Sequence, residues 1–347
     1  MNAPQPPALD HPYATPPAPG ATLEVAPGIL WVRMPLPFAL DHINLWLLAE
    51  ADGWTLVDCG IGNAATRDLW TTHFGTTLRG LPLRKIVATH CHPDHLGNAA
   101  WLSARFDCRV AMSLGEFLAA HALIDARAAH TPADTLALFR AHGMSPADVA
   151  ALAARGNHYA SLVPEAPVSF DRIIPGDTVR AGGTQWDTIF GYGHSSEHVA
   201  LADVARGVLI SGDMLLPRIS TNVSVWPSDP DGDPLGRFLA SIAAFLPLPA
   251  DTLVLPSHGL PFRGIALRVA QLCAHHDARL AELEAAIRAA PEPVTAAQMI
   301  PVLFRRELDL QQRFFAIGES IAHLNHLWCG GRARRTADAG GTLRFSG

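Results

Sequence analysis

Directly behind the short apolar run Lys85-Ile86-Val87-Ala88-Thr89, the chain reads His90-Cys91-His92-Pro93-Asp94-His95. Imidazole nitrogen and carboxylate oxygen are the donors that zinc takes at about 2.0–2.2 Å. A tight loop at a strand end can aim alternate side chains into one cavity. His90 and His92 then suit one ion, and Asp94 and His95 suit a second. Cys91, between two such side chains, is expected to point the other way. The spacing calls for a fold in which a buried strand stops at an edge that has room for metal.

The surrounding pattern is that of a layered α/β domain. Leu23-Glu24-Val25, Ile29-Leu30-Trp31-Val32 and Ile43-Asn44-Leu45-Trp46-Leu47-Leu48 read as strands, and Trp54-Thr55-Leu56-Val57-Asp58 follows a hairpin-like Asp52-Gly53. Helical patterns cover 64–74 and 98–106, with a strand at 109–112. Residues 114–160 differ: helical stretches at 116–129, 132–143 and 146–155 stand there without a strand pattern. This is an inserted segment, a lid or wall for the metal edge. Its apolar residues (Phe117, Leu118, Leu123, Ile124, Leu138 and Phe139 among them) suit such a covering or the insert's own packing face equally. Strands resume at 170–174, 185–191, 199–203 and 208–211, and a helix at 233–245 precedes a last strand at 252–255. Beyond residue 262 come helices at 265–289, 295–304 and 311–327, then a hairpin pattern at 332–336 and 342–345, the outline of a winged-helix module. Three parts follow: a disordered Pro-rich lead (1–22), a main domain (23–262) and a C-terminal helical module (263–347).

Composition narrows the partners. A formal charge of -6 offers no broad cationic face for nucleic acid. The five cysteines are scattered without paired spacing, which fits a reducing compartment. The N-terminus lacks the basic start and apolar core of a secretory signal, and no apolar run is long enough to span a bilayer. The expected location is cytoplasmic.

Three later segments repeat the theme of a ligand-type residue at a strand end among small neighbours. They are Gly191-Tyr192-Gly193-His194-Ser195-Ser196-Glu197-His198, Ser211-Gly212-Asp213 and Pro256-Ser257-His258-Gly259. Alone, each is an ordinary polar turn. Together with His90–His95, they resemble the metallo-β-lactamase superfamily, whose HxHxDH motif is followed by a His, an Asp and a His. The resemblance covers about residues 23–262. It implies an αββα sandwich with two Zn2+ at one edge, with iron or manganese as the alternatives. It further implies that His90, His92 and His194 bind one ion, that Asp94, His95 and His258 bind the other, and that Asp213 bridges them. Asp58 matches the family's earlier motif, in which an Asp orients the metal loop.

The implied chemistry is attack by metal-activated water, with Asp94 and Asp213 as the catalytic carboxylates. His198, Tyr192, Ser195, Asn222 and Trp226 are candidates for supporting the ligands or touching substrate. His275, His276, His323 and His326 sit on C-terminal helices and read as core or surface residues. The leading expectation is hydrolysis of a small-molecule ester, lactone or thioester. A phosphodiesterase or endoribonuclease is the second reading, since Arg332, Arg334 and Arg335 in the terminal hairpin suit phosphate. A mononuclear iron sulfur dioxygenase is the third. The C-terminal helices are equally suited to homodimer formation.

Overall fold

The computed structural model describes residues 8–347. One sheet has seven strands in sequence order: β1 (Thr22–Ala26), β2 (Ile29–Pro35), β3 (His42–Glu50), β4 (Gly53–Val57), β5 (Leu83–Val87), β6 (Arg109–Ser113) and β7 (Asp171–Ile173). Its first four strands form an antiparallel meander, and the pairs from β4 to β7 are parallel. The parallel strands need crossovers, which α1 (Ala64–Thr76), α2 (Pro93–Leu96) and α3 (Ala99–Phe106) supply. The β6-to-β7 crossover is the insert: α4 (Leu114–Ile124), α5 (Pro132–Ala141), α6 (Pro146–Ala153) and α7 (His158–Leu162). The second sheet runs β12-β11-β10-β9-β8, from β8 (Thr178–Ala181), β9 (Thr184–Gly191), β10 (His198–Asp203), β11 (Val208–Gly212) and β12 (Leu253–Pro256), with α8 (Pro234–Ala243) before β12. The C-terminal module is α9 (Ile265–Ala289), α10 (Ala296–Leu303), α11 (Leu310–Cys329) and the hairpin β13 (Arg334–Ala337) to β14 (Leu343–Ser346).

The central strands are apolar on both faces because both faces are covered. Trp31, Trp46, Val87, Trp186, Leu201 and Leu255 fill the space between the sheets. Leu45, Leu56 and Ile86 face outward onto Trp70 of α1 and Leu102 of α3. On the far side, Leu209 and Val254 pack with Phe238 of α8, Leu272 of α9 and Ile321 of α11. The result is the expected αββα sandwich. The C-terminal module has no separate core, because its helices complete the cluster on the outer face of the second sheet.

The insert divides its apolar residues between two layers. Phe117, Leu123 and Ile124 join the cluster of α1 and α3, with Phe117 stacked 4.2 Å from Phe170. Leu138 and Phe139 join the C-terminal cluster, with Phe139 edge-on to Phe314 at 5.5 Å. Leu118 is 55% exposed. The first insert helix stops at Ile124, short of the expected 129, because Ala126, Ala128 and Ala129 adopt left-handed backbone.

The expected disordered lead needs correction. Residues 1–7 lie outside the described residues. From Asp10 on, the chain is fastened: Arg263 N–H donates to the Asp10 carbonyl, His11 Nδ1 meets the Pro261 carbonyl at 3.1 Å, and Tyr13 O–H donates to the Val25 carbonyl at 2.6 Å. Leu9 and Tyr13 add apolar packing, but such isolated contacts leave no hydrophobic period to read. Among the described residues, no helix is long and apolar enough to cross a membrane.

His142, at the end of α5, seats the insert against the terminal hairpin. It is fully buried, stacked at 6.1 Å on Phe345, with neither ring nitrogen hydrogen-bonded. Burial, with Arg335 adding, pushes it down to about 4. The unfolded chain therefore takes up the proton first, and stability is lost as pH falls from about 6.5 towards 4. Relative to His142→Phe, the wild-type chain should lose about 1–2 kcal/mol between pH 7.5 and pH 5 in urea denaturation. Parallel pH profiles for the two proteins would refute this.

Candidate metal centre

The centre sits where strands of both sheets end. Asp58, just after β4, adopts left-handed backbone at φ 60°. Its carboxylate accepts from Thr89 N–H at 2.8 Å and from the Thr89 hydroxyl at 3.0 Å, and lies 2.8 Å from His95 Nδ1. It thereby ties the end of β4 to the motif after β5. Pro93 opens the single turn α2, where its fixed φ suits the first helical position. Two inter-sheet hydrogen bonds bring the remaining loops in: Val199 N–H donates to the Thr89 carbonyl, and Asn44 N–H to that of Ser257. Glu116 of α4 clamps two loops at once, accepting from Cys91 N–H at 2.8 Å and from Glu197 N–H at 2.6 Å.

Seven side chains meet there in two groups. Ligand atoms of His90, His92, His194 and Asp213 lie within 4.8 Å of one another, as do those of Asp94, His95 and His258. Asp213 faces both groups: Oδ2 is 3.3 Å from His194 Nε2, while Oδ1 is 3.5 Å from His95 Nε2 and 3.3 Å from His258 Nε2. Asp94 Oδ2 is 3.4 Å from His258 Nε2 and 3.7 Å from His95 Nε2.

The far ring nitrogens decide what these histidines present. Nδ1 of His194 is 2.7 Å from the Asn222 carbonyl, Nδ1 of His258 is 2.8 Å from the His42 carbonyl, and Nδ1 of His95 meets Asp58. Each acceptor holds the proton on Nδ1 and leaves Nε2 as a lone pair turned inward. His90 Nε2 lies 2.9 Å from His92 Nδ1 and 3.2 Å from His194 Nε2. A proton can satisfy one such nitrogen pair but not the set; a cation satisfies them together. His95 Nε2 and Asp213 Oδ1, both buried, have no hydrogen-bond partner. The residues therefore fit a metal.

Electrostatics follow the same division. Burial, with His194 adding, pushes His92 down to about 3, and burial pushes His90 well down. Burial opposes protonation of His95 too, but Asp58, Asp94 and Asp213 raise it to about 9. Burial works against Asp213 as an anion, yet His258 and His95 hold it well below the usual carboxylate range. Protonation is thus disfavoured at His90 and His92 and favoured at His95, where a bound cation would have to displace the proton from the inward Nε2.

A sequence profile for the metallo-beta-lactamase superfamily matches residues 39–258, and one for a metallo-beta-lactamase-like C-terminal domain matches residues 280–347. The chain belongs to the metallo-beta-lactamase superfamily. A beta-lactamase domain protein from Burkholderia ambifaria, of known crystal structure, is 48% identical, with a TM-score of 0.90 over 97% of this chain and 98% of the other. A metallo-beta-lactamase family protein from Thermus thermophilus is 28% identical, with a TM-score of 0.78 over 93% and 99%. YqjP of Bacillus subtilis, named a probable metallo-hydrolase, is 23% identical over 330 residues, or 86% of this chain and 92% of its own. With both donor clusters present, this member of the superfamily is a metal-dependent hydrolase that uses divalent metal.

The other anticipated residues take varied places. His198 is buried, its Nε2 3.2 Å from Asp213 N–H and its ring 5.0 Å from His90, so it supports the site from behind. Asn222 supports His194 through its main chain. Trp226 packs 6.1 Å from Phe314 of α11. Ser195 Oγ is buried without a partner, and the Tyr192 side chain is exposed. Cys91 is buried, its thiol pushed well up by burial and by Glu116, and Tyr159 of α7 donates to its carbonyl at 2.5 Å. Of the hairpin arginines, Arg332 pairs with Glu284, and Arg335 pairs with Asp231 and covers the Trp328 ring. Missed in the sequence were Glu116, Thr89, His42 and Asn44. The last two hold the His258 loop, His42 Nε2 accepting from Gly259 N–H and Asn44 Nδ2 donating to the Pro256 and Gly259 carbonyls.

Gly212 precedes Asp213 at φ 53°, and a Cβ there would run into His198 Nε2. Gly212→Ala should displace Asp213 or His198 and weaken metal binding at least about tenfold, the scale of loss when a metal ligand's supporting partner is removed. Elemental analysis after dialysis against a chelator series checks this; wild-type retention would contradict it.

Proposed function

We propose that the chain is a dinuclear hydrolase cleaving an ester, lactone or thioester bond of a small molecule. The observation that carries this reading is the carboxylate of Asp213, with one oxygen turned to each donor group. The donor set, imidazole with carboxylate, favours zinc. His90, His92 and His194 would hold one ion, Asp94, His95 and His258 the other, and Asp213 both. Such ions supply, when bound, acidification of a water molecule and polarisation of the oxygen of the scissile group.

The chain's own residues supply the rest. Asp94 is the most open carboxylate of the centre, 18% exposed where the His95 side chain is at 0%. It is the group best placed to take a proton from the attacking water and release it to solvent. Asp58 and Glu116 keep the loops rigid, so the carboxylates need not reorganise during reaction. Phosphodiester cleavage is disfavoured by the acidic balance and by the pairing of Arg332 and Arg335 within the chain.

A panel of p-nitrophenyl esters, lactones, acyl thioesters, bis-p-nitrophenyl phosphate and single-stranded RNA tests the reading. Turnover is expected for one of the first three classes, abolished by chelation and restored by Zn2+. Rapid RNA cleavage with no ester hydrolysis would overturn it. Asp94→Asn should lower kcat by about 100-fold or more, the usual scale for a lost general base. Activity within twofold of wild type would remove Asp94 from the chemistry.

A further inference from the structure

His194 differs from His90 and His92 in what supports it. The support is not a strand or the motif loop but the main-chain carbonyl of Asn222, 2.7 Å from Nδ1. Asn222 stands in an irregular stretch between β11 and α8, with no sheet ladder to fix it. Its place depends on what grips that stretch: the Thr221 hydroxyl donates to the Asp213 carbonyl from within it, and the grip from outside comes from the C-terminal module. Arg268 of α9 donates to the carbonyls of Leu216 at 2.5 Å and Ile219 at 2.7 Å. Gly318 of α11 approaches so closely that a Cβ would lie 2.7 Å from Ser224 Oγ, and its carbonyl accepts from Val225 N–H at 3.4 Å. The Asn222 side chain is held at both ends: Oδ1 accepts from Ser224 Oγ at 2.8 Å, and Nδ2 donates to Glu319 Oε2 at 3.4 Å.

We propose that Glu319, on α11 of the C-terminal module, is a positioning residue for the metal centre, setting the imidazole of His194 through Asn222. The proposal rests on the reading of His194 as a metal ligand. It makes the C-terminal module part of the active centre: remove the carboxyl, and the Asn222 amide loses its outer anchor while its main chain still carries the ligand. The environment of Glu319 fits a purpose-built contact. Burial pushes its carboxyl up to about 7, opposed only by the Asn222 amide. A carboxyl in that setting is costly to keep, and Gln in its place preserves the acceptor for Asn222 without the charge.

The test compares wild type with Glu319→Ala, Glu319→Gln, Asn222→Ala and His194→Ala. Apo-protein thermal melts establish folding, and Zn2+ titration against a chromophoric chelator gives the affinity of each ion. Glu319→Ala should weaken one of the two ions by about tenfold or more, the other changing little, with an apo melt close to wild type. Asn222→Ala should do the same, and Glu319→Gln should restore affinity to within about threefold, both judged against the losses usual when a ligand's hydrogen-bond support is cut. kcat should fall further than KM rises. If Glu319→Ala does not fold, Asn222→Ala, which keeps the carbonyl and removes the link, carries the test. Wild-type Zn2+ affinity in a folded Glu319→Ala or Asn222→Ala protein would overturn the proposal, provided His194→Ala loses an ion. Wild-type affinity in His194→Ala would instead overturn the ligand reading on which the proposal stands.

Discussion

The structure depends on one arrangement: imidazole nitrogens and carboxylate oxygens turned toward a common centre at the rim of two packed sheets. Burying so many polar groups together is unfavourable unless each finds a partner. The outer nitrogens find theirs in Asp58, the Asn222 carbonyl and the His42 carbonyl. The inner ones face each other, which a cation resolves. Asp213 joins the two halves of the centre, and its position is set by Gly212 and by His198 behind it.

The rest of the fold serves that rim. The donors come from the loops at strand ends, with Asp94 and His95 on the single turn α2 behind β5, and the sheets are locked to one another beside them by the Thr89 and Ser257 carbonyls. Glu116 shows how the insert takes part: it is a clamp between two metal loops, with its outer helices bound into the C-terminal cluster. The scaffold beneath the metal centre and the core of the terminal module are therefore one structure. Arg268 and the Gly318 close approach carry that continuity up to the loop that supports His194.

The sandwich was legible in the sequence, and so were the seven side chains that the structure gathers at the rim, because the relevant information is local. Strand-end motifs such as His90–His95 and Pro256–Gly259 keep ligand type, spacing and small neighbours within a few residues. The supporting residues were not legible. Glu116 bonds to Cys91, 25 positions earlier, and to Glu197, 81 positions later; Asn44 reaches Gly259, 215 positions on. A lone Glu, Asn or Thr has no pattern until the fold supplies its partner. The docked lead escaped notice for the same reason, and the early end of α4 turns on backbone conformation at three alanines, which composition favours as helix.

On the proposed function, Asp213 stands between two metal ions. Anomalous diffraction from Zn2+-loaded crystals, collected on either side of the zinc edge, tests it directly. Two peaks of comparable height are expected, one among His90, His92 and His194 and one among Asp94, His95 and His258, each beside a different oxygen of Asp213. A single peak at saturating Zn2+, with His95 and His258 left without an ion, would contradict it.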